Sequence, residues 1–283
     1  MRKENLQMKK SLFIIILFLS AASIGYSQYY YKDILSNKEL VADMIRLKDQ
    51  KIRTVILKSF EEDGSPSEGF FCEKKISKNY NSVETLSRSD ITGISSFTAS
   101  FNSKGQVSQT VDSSKISSST SIFSYTNDGQ IKSILSSVRS SDDDFQNEIT
   151  EEHIYEYNEK GIPVKMIKVK NLSDSTLFVF STDENNNVGI EKNTVTGVTY
   201  YYYYDGKKRI TDVVRFNQFS QKMLPDYIFE YNFAGLITQM TSTEEGSSNY
   251  FIWKYTYENG LRVKEKCYSK EKKLMGSIEY EYN

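Results

Sequence analysis

The sequence predicts an all-β protein, an antiparallel meander of repeated β-hairpins in one curved or spiral sheet with one short N-terminal helix. Among 283 residues, 21 Tyr and 16 Phe supply bulk although hydrophobic residues make up only 38%. Such a chain suits half-buried strands better than a helical core. A short glycine-containing motif also recurs, and the residues before it alternate with period two. The net charge of −1 argues against a dedicated nucleic-acid binder.

Residues 1–27 have the form of a signal peptide. Lys9 and Lys10 precede an apolar stretch from Leu12, and the small residue Ser27 precedes an expected cut before Gln28. The apolar stretch is short for a membrane span, although an uncleaved anchor helix remains the alternative. We therefore expect an exported protein that does not span a membrane after cleavage. Its expected location is the periplasm, cell surface or exterior of a Gram-negative bacterium. Translation from Met1 or from Met8 is left open.

Residues 28–50 form an N-terminal segment that contains one predicted helix, from Ser36 to Gln50. Ser36 and Glu39 are spaced as a capping box. The apolar residues that share one helical face are Leu40, Val41, Met44, Ile45 and Leu47. We expect this helix to cover the exposed edge or end of the first hairpin, as capping elements do in repeat proteins.

Residues 51–283 form the predicted repeat domain. The motif is an aromatic residue, a short polar residue, two variable residues, Gly, any residue, and then Ile, Val or Pro. Clear copies are FNSKGQV from Phe101, YTNDGQI from Tyr125, YNEKGIP from Tyr157 and YNFAGLI from Tyr231. Copies recur about every 26 residues, a period that indicates a repeat architecture.

Each motif predicts a type I turn that ends in a left-handed residue, which closes a hairpin on a β-bulge. The predicted turn residues are Gly64, Gly105, Gly129, Gly161, Asn186, Gly206, Gly235 and Gly260. In YDGKKRI the glycine position holds Lys208, a poor left-handed residue, so we expect Asp205 and Gly206 to form a tighter turn there. The shortened copy YENGLRV should likewise turn at Asn259 and Gly260.

The copies YYDGKKRI and YEYNEKGIP resemble the YD repeats of the Rhs family, whose motif is close to Tyr-Asp-x-x-Gly-Arg-Ile/Leu. The resemblance covers about Ile56 to Asn283 and implies hairpins wound into one antiparallel sheet. Large members of the family close that sheet into a shell around a toxin domain. Arg follows the turn here only at Arg209, and the repeats run to Asn283. We therefore expect a short exported member without a toxin domain.

Residues 199–204, TYYYYY, are one repeat copy with an aromatic residue at every position after Thr199. Tyr200, Tyr202 and Tyr204 share one face of the predicted strand, and Tyr201 and Tyr203 share the other. Packing is the first interpretation. The alternative is a ligand-binding row for a glycan, with Tyr200, Tyr201 and Tyr203 as its candidate residues.

The sequence offers little that could carry catalysis or bind metal. His153 is the only histidine, and there is no Cys-x-x-Cys pair, so we expect no catalytic triad, no metal site and no cofactor. The acidic run Asp142–Asp144 lacks the order of a calcium loop. Cys72 and Cys267 are either separate packed thiols or, if the fold brings them together, a disulfide.

The first functional hypothesis is a non-enzymatic binding or scaffolding module at the cell envelope, with an unknown envelope protein or glycan as partner and no nucleic acid. One alternative is a carbohydrate-binding or carbohydrate-active protein that uses an aromatic sheet face. The other is an outer-membrane β-barrel, against which Lys and Glu alternate along segments such as residues 263–273.

Overall fold

The computed structural model describes residues 28–90, 92–141, 148–217, 221–244 and 249–283. The predicted signal peptide, residues 1–27, and the acidic run Asp142–Asp144 lie outside the described residues.

Within the described residues, eighteen strands form one closed antiparallel barrel. Each strand pairs with the next along the chain, and β1 pairs with β18 through partners such as Val55 with Tyr282. The strands are β1 Thr54–Glu61, β2 Phe71–Ile76, β3 Ser82–Ser89, β4 Gly93–Phe101, β5 Val107–Ser114, β6 Ser117–Tyr125, β7 Ile131–Ser140, β8 Ile149–Tyr157, β9 Pro163–Lys170, β10 Asp174–Thr182, β11 Val188–Asn193, β12 Thr199–Tyr204, β13 Ile210–Asn217, β14 Lys222–Tyr231, β15 Ile237–Thr243, β16 Tyr250–Glu258, β17 Leu261–Ser269 and β18 Leu274–Tyr282.

The all-β prediction is confirmed, whereas the open curved or spiral sheet is wrong. Strand twist curls a long meander until its two edges meet, and pairing of those edges satisfies their backbone hydrogen-bonding groups. At this seam Asn283 N donates to Thr54 O at 2.9 Å, and Thr54 N donates to Asn283 O at 2.9 Å. Closure of the sheet is the feature that the outer-membrane alternative anticipated.

Seven of the eight predicted repeat turns connect an even-numbered strand to the next one, so they lie at one end of the barrel, here called the turn end. The turn at Gly64 connects β1 to β2 and lies at the opposite end. In the copy from Phe101, Gly105 has φ +75° and Asn102 N donates to Gln106 O at 2.8 Å. Asn186 takes the same left-handed conformation with φ +60°. Asn259 and Gly260, both with positive φ, form the tight turn of the shortened copy.

The turn from Asp205 to Arg209 differs from its expected form. Lys208, and not Gly206, adopts the left-handed conformation, with φ +61°. Asp205 Oδ1 accepts hydrogen bonds from Lys207 N and Arg209 N, and Asp205 Oδ2 accepts from Arg209 Nε at 2.7 Å. These bonds hold the five-residue turn in place and offset the strain at Lys208.

The two faces of the barrel wall have opposite character. Inward positions carry buried apolar and aromatic side chains, such as Leu57, Phe178 and Tyr202. Outward positions carry cross-strand ion pairs, which are Lys58 with Glu281 at 2.7 Å, Lys165 with Glu156 at 2.8 Å and Lys264 with Glu279 at 2.6 Å. The core of the protein therefore lies inside the barrel.

Residues 28–49, here called the plug, lie in the lumen. A π-helical turn, Tyr30–Leu35, continues into helix α1, Ser36–Asp49. Tyr29 packs on Phe178 of β10, whereas Met44 belongs to a cluster with residues of β1, β2, β4, β5 and β18. Contacts with strands on opposite sides of the ring place the plug inside it. Within the described residues, no helix is long and apolar enough to cross a membrane.

The helix therefore covers no sheet edge, because the closed barrel has none. The capping box is also absent. Ser36 lies within continuous helical backbone, and its hydroxyl donates to Tyr31 O at 3.1 Å. Ile45, a predicted member of the apolar face, is 52% exposed.

We predict that Lys208→Gly stabilises the protein by about 0.5–1 kcal/mol, because glycine adopts positive φ without the Cβ penalty that Lys208 incurs. Urea unfolding measures the difference. The control is Lys207→Gly in the same turn, at a position without positive φ, which should not stabilise. Equal effects of the two substitutions would contradict the assignment of strain to Lys208.

Candidate functional site: the plugged lumen and the turn-end cavity

Glu191 of β11 fixes the beginning of the plug. Its side chain is 1% exposed, and its carboxylate accepts hydrogen bonds from Tyr29 N at 3.0 Å and Tyr30 N at 2.9 Å. Tyr202 donates a third bond from its hydroxyl at 2.7 Å. These backbone N–H groups open the helical segment and have no partner within it, so a carboxylate satisfies them well. Burial raises the pKa of Glu191 to about 7, although the three hydrogen bonds oppose that shift.

A second anchor joins Asp33 of the plug to strand β8. Asp33 Oδ2 lies 2.6 Å from His153 Nδ1 and accepts a hydrogen bond from the Tyr155 hydroxyl at 2.7 Å. The other ring nitrogen of His153 lies 2.8 Å from Glu151 Oε1. Burial by itself would lower the pKa of His153, but the two carboxylates raise it to about 9. His153 is thus a charged, buried tie between barrel and plug.

The third anchor holds Gln28, the first described residue. Gln28 Nε2 donates to Asp226 Oδ2 at 2.5 Å, and Asp226 Oδ1 accepts a hydrogen bond from Arg215 Nε at 2.9 Å. Together the three anchors tie the first six residues of the plug to strands β8, β11, β13 and β14. The plug is therefore held by directional polar contacts as well as by apolar packing.

A series of tyrosine hydroxyls, here called the tyrosine ladder, links neighbouring repeat copies at the turn end. Each tyrosine stands directly before a repeat turn or at the end of β18, and its hydroxyl donates to a backbone carbonyl at the start of the strand after the previous turn. The pairs are Tyr125 with Val107 at 2.7 Å, Tyr157 with Ile131 at 2.7 Å, Tyr204 with Val188 at 2.8 Å, Tyr231 with Ile210 at 2.7 Å, and Tyr282 with Arg262 at 2.7 Å.

The ladder is interrupted in the copy that connects β10 and β11. The position before that turn is Thr182, which is exposed and has no ring. By the rule of the ladder, a tyrosine there would reach the carbonyl of Pro163, at the start of β9. Phe101 and Tyr257 occupy the same position with a ring in other copies. Thr182 therefore leaves space where every other copy places an aromatic side chain.

A cavity of about 300 Å³ lies at the turn end beside this interruption. The plug supplies one wall and three consecutive repeat turns supply the other. Its lining residues are Tyr30, Ile34, Asn37, Lys38, Tyr125, Gly129, Gln130, Ile131, Tyr157, Gly161, Ile162, Pro163, Asn186, Asn187 and Val188. The lining combines side-chain amides, tyrosine rings and aliphatic groups, with Lys38 as its one charged side chain. Such a surface can bind a small polar molecule that has an apolar face.

The tyrosines that the sequence singled out do not form one site. Tyr200 is 2% exposed and faces the lumen, where it belongs to the core. Tyr201 and Tyr203 lie at the alternate positions of β12 and face outward, and Tyr203 is 51% exposed. Because successive strand residues point to opposite faces, Tyr200 cannot share a ligand with the other two.

The two cysteines are buried and free. Cys72 lies on β2 and Cys267 on β17, so strands β18 and β1 separate them. Burial raises the pKa of Cys72 to about 11 and that of Cys267 to about 12, which keeps both as thiols. The packed-thiol interpretation describes this arrangement.

Sequence reasoning missed the residues that build this region. Glu191 and Asp33 gave no signal, because acidic residues are frequent in the chain and nothing in their spacing marks a plug anchor. Thr182 did give a signal. Its copy, TDENNNV, departs from the motif at both the aromatic and the glycine positions. A missing ring in a repeated aromatic position indicates a missing volume in the folded repeat.

We predict that Glu191→Ala destabilises the protein by about 2–4 kcal/mol, because it leaves two buried N–H groups and one hydroxyl without their acceptor. Urea unfolding measures the loss. Glu230→Ala, an exposed outward position on β14, is the matched control and should change stability by less than about 0.5 kcal/mol. A loss at Glu191 no larger than at Glu230 would exclude its anchoring role.

We predict that the free energy of unfolding falls as pH rises from 4.5 to 9. The pKa of Glu191 is raised from 4.5 to about 7, so folding favours its protonated form and its ionisation removes stability across that interval. The pKa of His153 is raised from 6.5 to about 9, so its contribution is fully present below pH 6.5 and is lost as pH rises through 9.

Urea unfolding at a series of pH values tests both groups. The variant His153→Gln should remove the part of the fall between pH 6.5 and 9, and Glu191→Gln should reduce the part between pH 4.5 and 7. A His153→Gln protein whose stability still falls as steeply as the wild type above pH 6.5 would refute the charged tie.

Comparison with known proteins gives distant structural likenesses only. No family model and no curated protein sequence matches the chain. A porin-like protein from Bacteroides uniformis aligns over 82% of this chain and 98% of its own, with 10% identity and a TM-score of 0.38. A porin-like protein from Bacteroides vulgatus aligns over the same shares, with 12% identity and a TM-score of 0.29. The structure titled TcdB2-TccC3-TEV aligns over 75% of this chain at 13% identity and a TM-score of 0.33, and this chain spans 12% of it. TM-scores below 0.5 do not establish a common fold, so the site is argued from this chain's own residues.

Proposed function

We propose that this protein is an exported, non-enzymatic binding module of the cell envelope, built on YD-like hairpin repeats and exposed to water on its outer face. The observation that carries the proposal is the polarity of the barrel wall. Aromatic and aliphatic side chains face the plug, and the outer face carries ion pairs among exposed aliphatic side chains such as Ile122 and Leu135. A barrel in lipid needs the reverse arrangement on its outer face.

The outward charges lie in the middle of strands as well as at their ends. Lys58 of β1 and Lys264 and Glu279 of the β17–β18 pair occupy outward positions within their strands. A membrane barrel presents an apolar band about 25 Å tall, which takes strands of about 9–11 residues. Strands β2, β11 and β12 have six residues each. These features favour a barrel that works in water.

A binding role fits the way in which the turn-end cavity is held. One wall is the plug, which Glu191, Asp33 and Asp226 anchor to the barrel, and the other is a set of hairpin turns with internal hydrogen bonds. Walls fixed in this way lose little conformational entropy when a ligand binds. The lining offers amide and hydroxyl groups for recognition, and it places no base beside a nucleophile, so we propose binding without chemistry.

An outer-membrane barrel is the second candidate, and closure of the antiparallel sheet favours it. An outward aliphatic row also crosses three strands, where Ile154 of β8 pairs with Ile167 of β9, which pairs with Leu177 of β10. On β9 and β10 the row extends to the next outward residues, Val169 and Val179, so it is two residues high there, whereas Glu152 and Glu156 flank Ile154 on β8. The apolar band of a membrane barrel is several residues high.

Cell fractionation separates the two candidates. The full chain is produced in a Gram-negative host, and medium, periplasm and outer membrane are separated. We expect the mature protein in the medium, in the periplasm, or released from membranes by carbonate, and we expect residues 28–283 to stay monodisperse without detergent. Recovery only from the outer membrane, with detergent required for solubility, would overturn the water-exposed barrel and establish the second candidate.

A further inference from the structure

We propose that the turn-end cavity binds a single pyranose sugar, or the terminal ring of a glycan, and prefers a sugar that carries a carboxylate. This inference rests on the proposed binding function and gives its site a ligand class. The residues that line the cavity carry this inference, and not the tyrosine row of β12, since Tyr201 and Tyr203 face away from the lumen.

The cavity arises where one repeat copy lacks the tyrosine that other copies have. In five places a tyrosine hydroxyl closes the space between neighbouring copies, and Tyr157 and Tyr204 do so on either side of the interruption. Thr182 leaves the corresponding space open, and Pro163 and Val188, from the two strands beside it, both line the cavity. The volume of about 300 Å³ is at the lower end of the range for ligand pockets, about 300–1,000 Å³, and suits one or two sugar rings.

The polar groups of the cavity match a ring that carries hydroxyls. Asn37 donates from Nδ2 to the Tyr125 hydroxyl at 3.3 Å, so its Oδ1 can accept from a ligand. Asn186 accepts from Lys160 Nζ at 3.0 Å through Oδ1, so its Nδ2 can donate to a ligand. Gln130 adds an amide with both capacities. Ile34, Ile162 and Pro163 supply an apolar surface for the C–H face of the ring.

The charge of the cavity favours an acidic sugar over a neutral one. Lys38 is the one charged side chain in the lining, which contains no carboxylate. Among the described residues Lys38 forms no ion pair, and burial lowers the pKa of its ammonium group. Lys38 is exposed to solvent, so its ammonium group is accessible to a ligand, and a carboxylate on the ligand would give it a counter-charge. One cation suits one carboxylate and gives little support to a nucleotide, whose phosphates bring several charges.

Isothermal titration calorimetry with residues 28–283 tests the site, using glucuronate and galacturonate as acidic sugars and glucose and galactose as neutral ones. We expect the acidic sugars to bind with a Kd on the order of 1 mM, and the neutral ones several-fold more weakly. Lys38→Met should abolish the difference between the two classes. Equal binding of both classes to the wild type would refute the role of Lys38, and absence of binding by all four sugars would refute the site.

Thr182→Tyr is the decisive variant, because it should fill the cavity while it restores the missing rung of the ladder. We expect at least a tenfold loss of sugar affinity together with an unchanged or higher unfolding midpoint. Ser181→Tyr, the exposed neighbour that points outward, is the matched control and should bind sugar as the wild type does. Wild-type affinity in Thr182→Tyr would overturn the proposal.

If Thr182→Tyr fails to fold, Gln130→Phe fills the cavity from the β6–β7 turn and is measured in the same way, with the same expected loss. The outcome is separable from the proposed function. If the protein is soluble without detergent but binds none of the sugars, the proposed function stands and the sugar ligand is excluded. If the protein requires detergent, the proposed function itself is overturned.

Discussion

The width of the barrel is the constraint on which the rest of the structure depends. A barrel of about eight strands can fill its interior with its own side chains, whereas 16–18 strands leave a channel. This chain closes eighteen strands and carries aromatic side chains on the inner face. Those rings would face water if the lumen were empty. The plug removes them from water, since Tyr29, Tyr30 and Ile34 pack into one hydrophobic cluster of the barrel and Met44 into a second.

Apolar packing by itself would not fix where the plug sits, because rings such as Tyr29 and Tyr31 could slide along an aromatic wall at little cost. Buried polar contacts supply the register. Glu191 recognises the first N–H groups of the helical segment, and Asp33 meets a histidine that is itself held by Glu151. Breaking such a contact leaves a buried charge or donor unsatisfied. The anchors therefore convert a wide lumen into one defined interior and keep the cavity wall in place.

The repeats made the strands, their turns and their inward and outward faces predictable, because each of these follows from local rules of alternation and turn chemistry. Closure of the sheet was not predictable, because it depends on the twist summed over eighteen strands. No single repeat copy indicates that sum. The helix was predictable from its apolar face, but its place in the lumen was not. For the site, Thr182 was visible as a departure from the motif, whereas Glu191 in the segment VGIEKN resembles any acidic strand residue.

Two repeat copies depart most from the motif, the one with Lys208 and the one with Thr182. The lost residues are compensated by other contacts in the first copy but not in the second. At Lys208 the loss of glycine is compensated, because Asp205 and Arg209 hold the turn and Tyr204 before it still forms a rung of the ladder. At Thr182 the glycine is replaced by Asn186, which accepts the left-handed conformation, but nothing replaces the ring. A packed interior normally fills such a space, because lost contacts cost stability. The copy with Thr182 is thus the place where the repeat is less stable than complete packing would make it. The cavity beside it is lined with side-chain amides and one lysine, which are groups that serve recognition better than packing.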